Sequence, residues 1–288
     1  MMSDYLKYID VNGIQTRYFE KGTGEAVVLI HGGNPGTFYN SLVWDLNFDY
    51  LSQYFHVIAF DRLAMGRTGI PDSRKIDYPS IVEHSVNFLE ALGLRDVTLV
   101  GHSRGGFVAT LICLQRADLM SKLILVDSGT TAPDIPPRTS DFYAELDSMA
   151  PTVETRESVL RELKANSYDI SHLSEELKNE TFELANLATT KEAKLRFERD
   201  ALKEEMNELR KSTLETIKNG AIQCPTLILW GLNDPSAIVE RGLNLFRIIS
   251  NANKEITIFH AISQAGHYVF RDRFREFNNT VANFIKQI

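Results

Sequence analysis

Five short apolar runs constrain this chain most: Ala26–Ile30 (AVVLI), Val57–Phe60 (VIAF), Val97–Val100 (VTLV), Leu123–Val126 (LILV) and Thr226–Trp230 (TLILW). All five are stopped by Gly, Asp or His. Short, continuous, β-branched runs without polar alternation predict strands covered on both faces, as in a parallel sheet. Ile14–Phe19 and Glu255–Phe259 (EITIF) read as further strands. Helix-like stretches alternate with them. Pro79–Leu92 begins with proline and is stopped by Gly93. Phe107–Leu114 is an apolar run suited to a buried helix, and a last helix from near Asp272 places Phe274, Phe277, Val281 and Phe284 on one face. Strands alternating with helices imply right-handed crossovers and an α/β architecture.

The rhythm breaks near residue 132, where prolines stand at 133, 136 and 137. From Ser140 to about Lys218 no strand-like run occurs. The spacing of Leu160 with Leu163, and of Leu173 with Leu177, predicts amphipathic helices. Lys191–Ser212 has the highest helix propensity in the chain, and its charges read as a solvated face. We therefore read 1–132 and 219–288 as one core domain and 133–218 as a helical insertion.

With 288 residues, 43% of them hydrophobic and 24% charged, the chain can bury a large core. A net charge of -7 provides no basic field for nucleic acid. No run of about 18 apolar residues occurs, so no membrane span is expected. The polar N-terminus does not read as a secretory signal. Cys113 and Cys224 are too few for a disulfide framework and read as buried free thiols. These features fit the cytoplasm.

The strongest chemical signal is Gly101-His102-Ser103-Arg104-Gly105-Gly106, a G-x-S-x-G sequence with a strand before it and a helix after. A serine presented on a strained turn brings the residues two before and two after it together, so glycine is needed at 101 and 105. Gly106 allows the helix to approach the sheet. Such a hydroxyl is a weak nucleophile and needs a base. Among seven histidines, His267 lies in a polar loop (SQAGHY) between the last strand and last helix, where it can reach Ser103. His56, His84, His172 and His260 read as packing or surface residues. His31 reads as a brace for its loop, and His102 is expected to point away from its neighbour. The carboxylate orienting the base has two candidates: Asp234 in GLNDP after TLILW, and Asp127 after LILV. The chain order Ser103, Asp234, His267 favours Asp234.

A tetrahedral oxyanion needs two preorganised N–H donors. Arg104 offers one backbone donor. His31-Gly32-Gly33-Asn34-Pro35-Gly36 follows a neighbouring strand, and Gly33 is the candidate for the second. Asn34 and Tyr268 are candidate substrate contacts. The Arg104 side chain has two readings, an anchor for an anionic substrate group or half of a salt bridge. Gly22–Glu25 (GTGE) lacks the Gly-Lys-Ser/Thr of a phosphate loop, and no HExxH or CxxC occurs. No metal or cofactor is therefore expected.

HGGNPG, DRLAMGRTG, GHSRGG, GLNDP and AGHY together resemble the α/β-hydrolase family, in that order and over nearly the whole chain. The resemblance implies an eight-stranded, mostly parallel sheet flanked by helices, with a helical cap inserted after the sixth strand. Within the family, HGGNPG and Glu157–Glu183 are similar to the meta-cleavage-product hydrolases, which cleave a C–C bond in ring-opened aromatic dienoates. That subfamily carries Asn before the nucleophile, Met after it and Trp after the histidine; here these are His102, Arg104 and Tyr268. Asn34 replaces a loop glycine, and the subfamily's cap arginine would fall near Thr181, where none stands. The resemblance implies a cofactor-free serine hydrolase of a small-molecule substrate, with homo-oligomers common among its members. A carboxylesterase or lactonase is the alternative that the missing arginine favours. A ligand receptor on a hydrolase scaffold is a third reading.

Overall fold

The computed structural model describes residues 2–72, 75–136, 139–149, 155–201 and 203–288; Pro137 of the proline cluster lies outside them. Eight strands form one sheet: β1 Leu6–Val11, β2 Ile14–Lys21, β3 Ala26–Ile30, β4 His56–Phe60, β5 Val97–His102, β6 Met120–Val126, β7 Thr226–Gly231 and β8 Thr257–Ile262. Their spatial order is β1-β2-β4-β3-β5-β6-β7-β8. All pairs from β4 through β8 are parallel, and β2 runs antiparallel to both β1 and β4.

The central runs are apolar at every position because the sheet has a core on each side. Val28, Ile30, Ile58, Phe60, Leu99 and Leu125 feed one core. Their neighbours Val27, Leu29, Val57, Ala59, Val100 and Val126 feed the other. The period-two alternation of a strand thus divides one apolar run between two layers. Outside the insertion the helices are α1 Asp45–Leu51, α2 Tyr78–Ala91, α3 Arg104–Gln115, α10 Val239–Ala252, α11 Val269–Asp272 and α12 Phe274–Gln287. At the start of α2 the Asp77 side chain accepts from the Ser80 amide, the reciprocal bond completes a capping box, and Gly93 follows the helix at φ +67°.

Between β6 and β7 the described residues form helices α4 Thr139–Ser148, α5 Arg156–Val159, α6 Arg161–Asn166, α7 Glu175–Asn186, α8 Ala188–Asp200 and α9 Lys203–Lys218. Leu160, Leu163, Leu173 and Leu177 are buried and join the core on the α1 and α12 side of the sheet. The charged stretch 191–212 is divided at Ala201 rather than continuous. One strand has no counterpart among the apolar runs, and one strand expectation needs correction. β1 has no apolar run because most of its residues are exposed; an Asn12-Gly13 turn with φ +53° and +86° folds it onto β2. β8 starts two residues later than EITIF suggests, so His260 lies within the strand rather than after it.

Among the described residues no helix is long and apolar enough to cross a membrane. Cys113 and Cys224 are free and buried, with their sulfurs 3.8 Å apart.

Candidate active site

The parallel strands place the carboxyl ends of β3 to β8 along one edge, and every candidate side chain sits on the turn that follows a strand. Ser103 joins β5 to α3 with φ +53° and ψ −122°, a conformation that costs a non-glycine residue about 1–3 kcal/mol. The surrounding bonds hold it there. Its N–H donates to Val126 O at 2.8 Å, and its carbonyl accepts from the Gly106 amide at 3.0 Å and from Ser128 Oγ at 2.8 Å. A β-carbon on Gly101 would stand 2.5 Å from Gly105 O, and one on Gly105 would stand 2.4 Å from the carbonyls of Ile30 and His31. The expected crowding is present, with the end of β3 as the second wall. Gly106 is close-packed against Ser128.

His267 lies in the loop after β8, buried, with Nδ1 2.6 Å from Asp234 Oδ2. A carboxylate only accepts, so Nδ1 carries a proton, and in the neutral ring the lone pair is then on Nε2. The other oxygen of Asp234 accepts from Ser236 N at 2.8 Å, Ser236 Oγ at 2.9 Å and Ala237 N at 2.8 Å. The turn that follows Asn233-Asp234-Pro235 is thus what fixes this side chain. Asp127, the rival, is engaged elsewhere: its Oδ1 accepts from the Gly231 amide at 2.7 Å. Burial and the neighbouring Asp234 charge push the Asp127 carboxyl well above the usual range.

His102 does not simply turn away. Its Nε2 lies 2.8 Å from the His267 carbonyl, so the ring donates to the backbone of the base. Burial and the nearby His267 hold it well below the ordinary histidine value, as a neutral ring. It therefore ties residue 267 to the residue preceding Ser103.

The glycine loop lies against the elbow, with the β-carbon position of Gly32 3.1 Å from Ser103 Cβ. His31 Nδ1 donates to Gly32 O at 2.9 Å, and its Nε2 accepts from the Arg62 amide at 3.2 Å. Arg62 Nη2 donates to Gly32 O at 2.8 Å and also to Gly33 O. With the Gly32 carbonyl fixed by these groups, the trans peptide directs the Gly33 N–H the opposite way. Gly33 takes φ +81°, and a β-carbon there would meet the Tyr39 ring at 2.4 Å. The Arg104 amide is at the first position of α3, where no intrahelical acceptor exists.

Two hydrogen-bonded chains flank these groups. Arg104 Nη1 donates to Tyr78 OH at 3.2 Å, and Tyr78 donates to Asn34 Oδ1 at 3.1 Å. Tyr39 donates to Glu162 Oε1 at 2.7 Å, and the Tyr39 and Tyr268 hydroxyls are 2.6 Å apart. Asn34 keeps accessible surface. Tyr268, expected at the substrate, is fully enclosed and reaches the site through Tyr39 and Glu162. Thr181 is buried in α7, beside Glu180, which pairs with Arg17 and Arg67 of the core.

Residues 25–274 match the model of the α/β-hydrolase fold family. The chain belongs to that family. This α/β-hydrolase is 25% identical over 289 residues to a 2-hydroxy-6-oxo-6-(2'-aminophenyl)hexa-2,4-dienoic acid hydrolase of Metapseudomonas resinovorans, covering 98% of this chain and 91% of the relative. It is 27% identical to a 2-hydroxy-6-oxononadienedioate/2-hydroxy-6-oxononatrienedioate hydrolase of Burkholderia vietnamiensis, over 98% and 96% of the two chains. In three dimensions it is similar to the meta-cleavage product hydrolase of Pseudomonas fluorescens IP01, with a TM-score of 0.79, 24% identity and coverage of 98% and 97%.

Four groups of this α/β-hydrolase's site were not singled out in the sequence: Arg62, Tyr39, Glu162 and Asn166. Arg62 had a signal, since it follows β4 directly on the functional edge. Tyr39 and Glu162 meet where the helices between β6 and β7 contact the loop after β3, and the Asn166 carbonyl accepts from the His267 amide in the loop after β8; no local pattern reveals either contact.

Proposed function

We propose that this α/β-hydrolase is a serine hydrolase of small carbonyl substrates, and that ring-opened aromatic dienoates are its substrate class. The observation that carries this reading is Ser103 held at positive φ on the same sheet edge as the His267–Asp234 pair. Ser103 Oγ attacks the substrate carbonyl while its proton passes to His267 Nε2. Asp234 keeps the imidazole in the required tautomer and stabilises the imidazolium. The oxyanion accepts from the Gly33 and Arg104 amides, preorganised by Arg62 and by the start of α3. The bond to the leaving group breaks, and His267 returns the proton to it. Water, deprotonated by His267, then attacks the acyl-enzyme and releases the acid.

In a dienoate the bond broken is C–C. The dienol must first become the keto form, so that the electrons of that bond delocalise into the departing keto-acid fragment. The helices between β6 and β7 act as a cap over the site, to which they bring Glu162 and the Asn166 carbonyl. The dienoate class is supported by relatives named for such substrates across nearly the whole chain. Turnover of a ring-opened phenyl dienoate, followed by loss of its absorbance, is compared with hydrolysis of p-nitrophenyl acetate. A kcat/KM at least about a hundredfold higher for the dienoate is expected. A clear preference for the ester would move the protein to the carboxylesterases.

A further inference from the structure

Arg104 is an unusual neighbour for a nucleophile, and its surroundings decide between its two readings. The side chain is densely surrounded yet keeps part of its surface accessible. Its hydrogen bond goes to the neutral Tyr78 hydroxyl, and among the described residues it forms no ion pair. A guanidinium largely withdrawn from water without a counter-ion is a receptor for an anion. Its planar fork suits a carboxylate in particular.

Glu162 enters the same space from the cap, in the first turn of α6. It too is closely surrounded but not sealed. Oε1 accepts from Tyr39, whereas Oε2 has no hydrogen-bond partner among the described residues. Burial raises its pKa and Asp147 adds to that. The Tyr39 hydroxyl, His267 and Arg104 act the other way and favour the carboxylate. Both hydrogen-bonded chains end on the loop after β3: Tyr39, which donates to Glu162, packs against Gly33, and Tyr78, which accepts from Arg104, donates to the next residue, Asn34. Arg104 and Glu162 sense each other without pairing. Among the described residues the loop is therefore flanked by a cation without an ion-pair partner, next in sequence to Ser103, and by a carboxylate with one oxygen unbonded.

We propose that Arg104 and Glu162 make the pocket selective for monocarboxylates: Arg104 holds the one carboxylate, and Glu162 accepts a hydrogen bond from a neutral donor at the far end and repels a second carboxylate. The proposal deepens the hydrolase reading by naming the substrate's charge pattern, and it uses that reading only to locate the pocket. Like charges in a poorly screened cavity discriminate strongly. A dicarboxylate is expected to bind about a hundredfold more weakly than its matched monocarboxylate, roughly 2.7 kcal/mol.

The test is calorimetric binding of three non-hydrolysable ligands to the full-length protein: 3-phenylpropanoate and its para-amino and para-carboxy derivatives. Wild type should bind the amino compound at least as tightly as the parent, and the carboxy compound about a hundredfold more weakly. Glu162→Gln keeps an acceptor for Tyr39, so it should fold and bring the parent and carboxy compounds to within about fivefold. Arg104→Gln should weaken the parent at least tenfold. The proposal is overturned if wild type binds the carboxy compound as well as the parent, if none of the three binds at millimolar concentration, or if the ratio survives in a folded Glu162→Gln. The wild-type comparison needs no variant to fold. Binding needs no turnover, so a protein that hydrolyses nothing but shows this selectivity would refute the hydrolase reading alone.

Discussion

The backbone N–H of His267 donates to the carbonyl of Asn166, at the end of cap helix α6, at 2.8 Å. The candidate base is therefore fastened to the cap as well as to Asp234 and His102. A β-carbon on Gly266 would stand 2.4 Å from that same Asn166 oxygen, so glycine is needed for the approach. Asp272 reinforces the junction by accepting from the amides of Tyr168, Asp169 and Gly266 at 2.8–3.1 Å. Around α6 the cap and the base loop form one unit, and opening of the cap would have to bend elsewhere.

Removing the Asp272 carboxylate would leave three amides at this junction without their acceptor. Asp272→Ala should destabilise the fold by about 2–3 kcal/mol and lower kcat at least tenfold through misplacement of His267, with a smaller change in KM. Urea melts and steady-state kinetics on one preparation check both. Unchanged kcat in a destabilised protein would show that the junction is structural only.

The two acids at the sheet edge should separate cleanly. Asp234→Asn removes the acceptor that sets the His267 tautomer and should lower kcat by about four orders of magnitude. Burial and the Asp234 charge raise the Asp127 carboxyl, and Asn keeps the acceptor for the Gly231 amide. Asp127→Asn should therefore stay within about tenfold of wild type. A reversal of these two effects would make Asp127 the orienting acid.

Gly105 has backbone carbonyls on its β-carbon side rather than flexible side chains. Gly105→Ala forces α3 away from β3 and should cost roughly 3 kcal/mol or more. Chemical denaturation measures it directly. A loss under about 1 kcal/mol would mean that the elbow is looser than the contacts suggest.

Much of this arrangement was legible in the residues, and what was not has a physical cause. AVVLI, VIAF, VTLV, LILV and TLILW announce themselves because both of their faces are buried. β1 is exposed over most of its length, so its evidence was the Asn12-Gly13 turn and not hydrophobicity. Ser103, Asp234 and His267 stand on turns whose chemistry is local. Glu162 lies between Leu160 and Leu163 on a short helix, with nothing in its spacing to reveal that it faces Tyr39. His102 was expected to diverge from its neighbour, and only the fold shows its ring against the His267 backbone.

The buried histidines make stability depend on pH. Burial holds His31 at about 3, His84 at about 4, His172 at about 3 and His102 well below the ordinary value of 6.5. Each folded-state value is depressed, so the unfolded chain binds more protons below pH 6.5. The stabilisation is fully present above about pH 7 and is lost as pH falls from 6.5 toward 4. Near pH 5 unfolding should take up about three to four protons from this source, each worth about 1.4 kcal/mol per pH unit. Urea midpoints from pH 7.5 to 5 check this, and a flat profile would contradict it.

The most direct test of the account is the site of covalent capture. Intact protein treated with a fluorophosphonate should gain one label, mapped by peptide mass spectrometry to Ser103. Ser103→Ala should take no label and lose at least about three orders of magnitude in dienoate turnover. A Ser103→Ala protein that retains wild-type turnover, or a label resting on another residue, would contradict it.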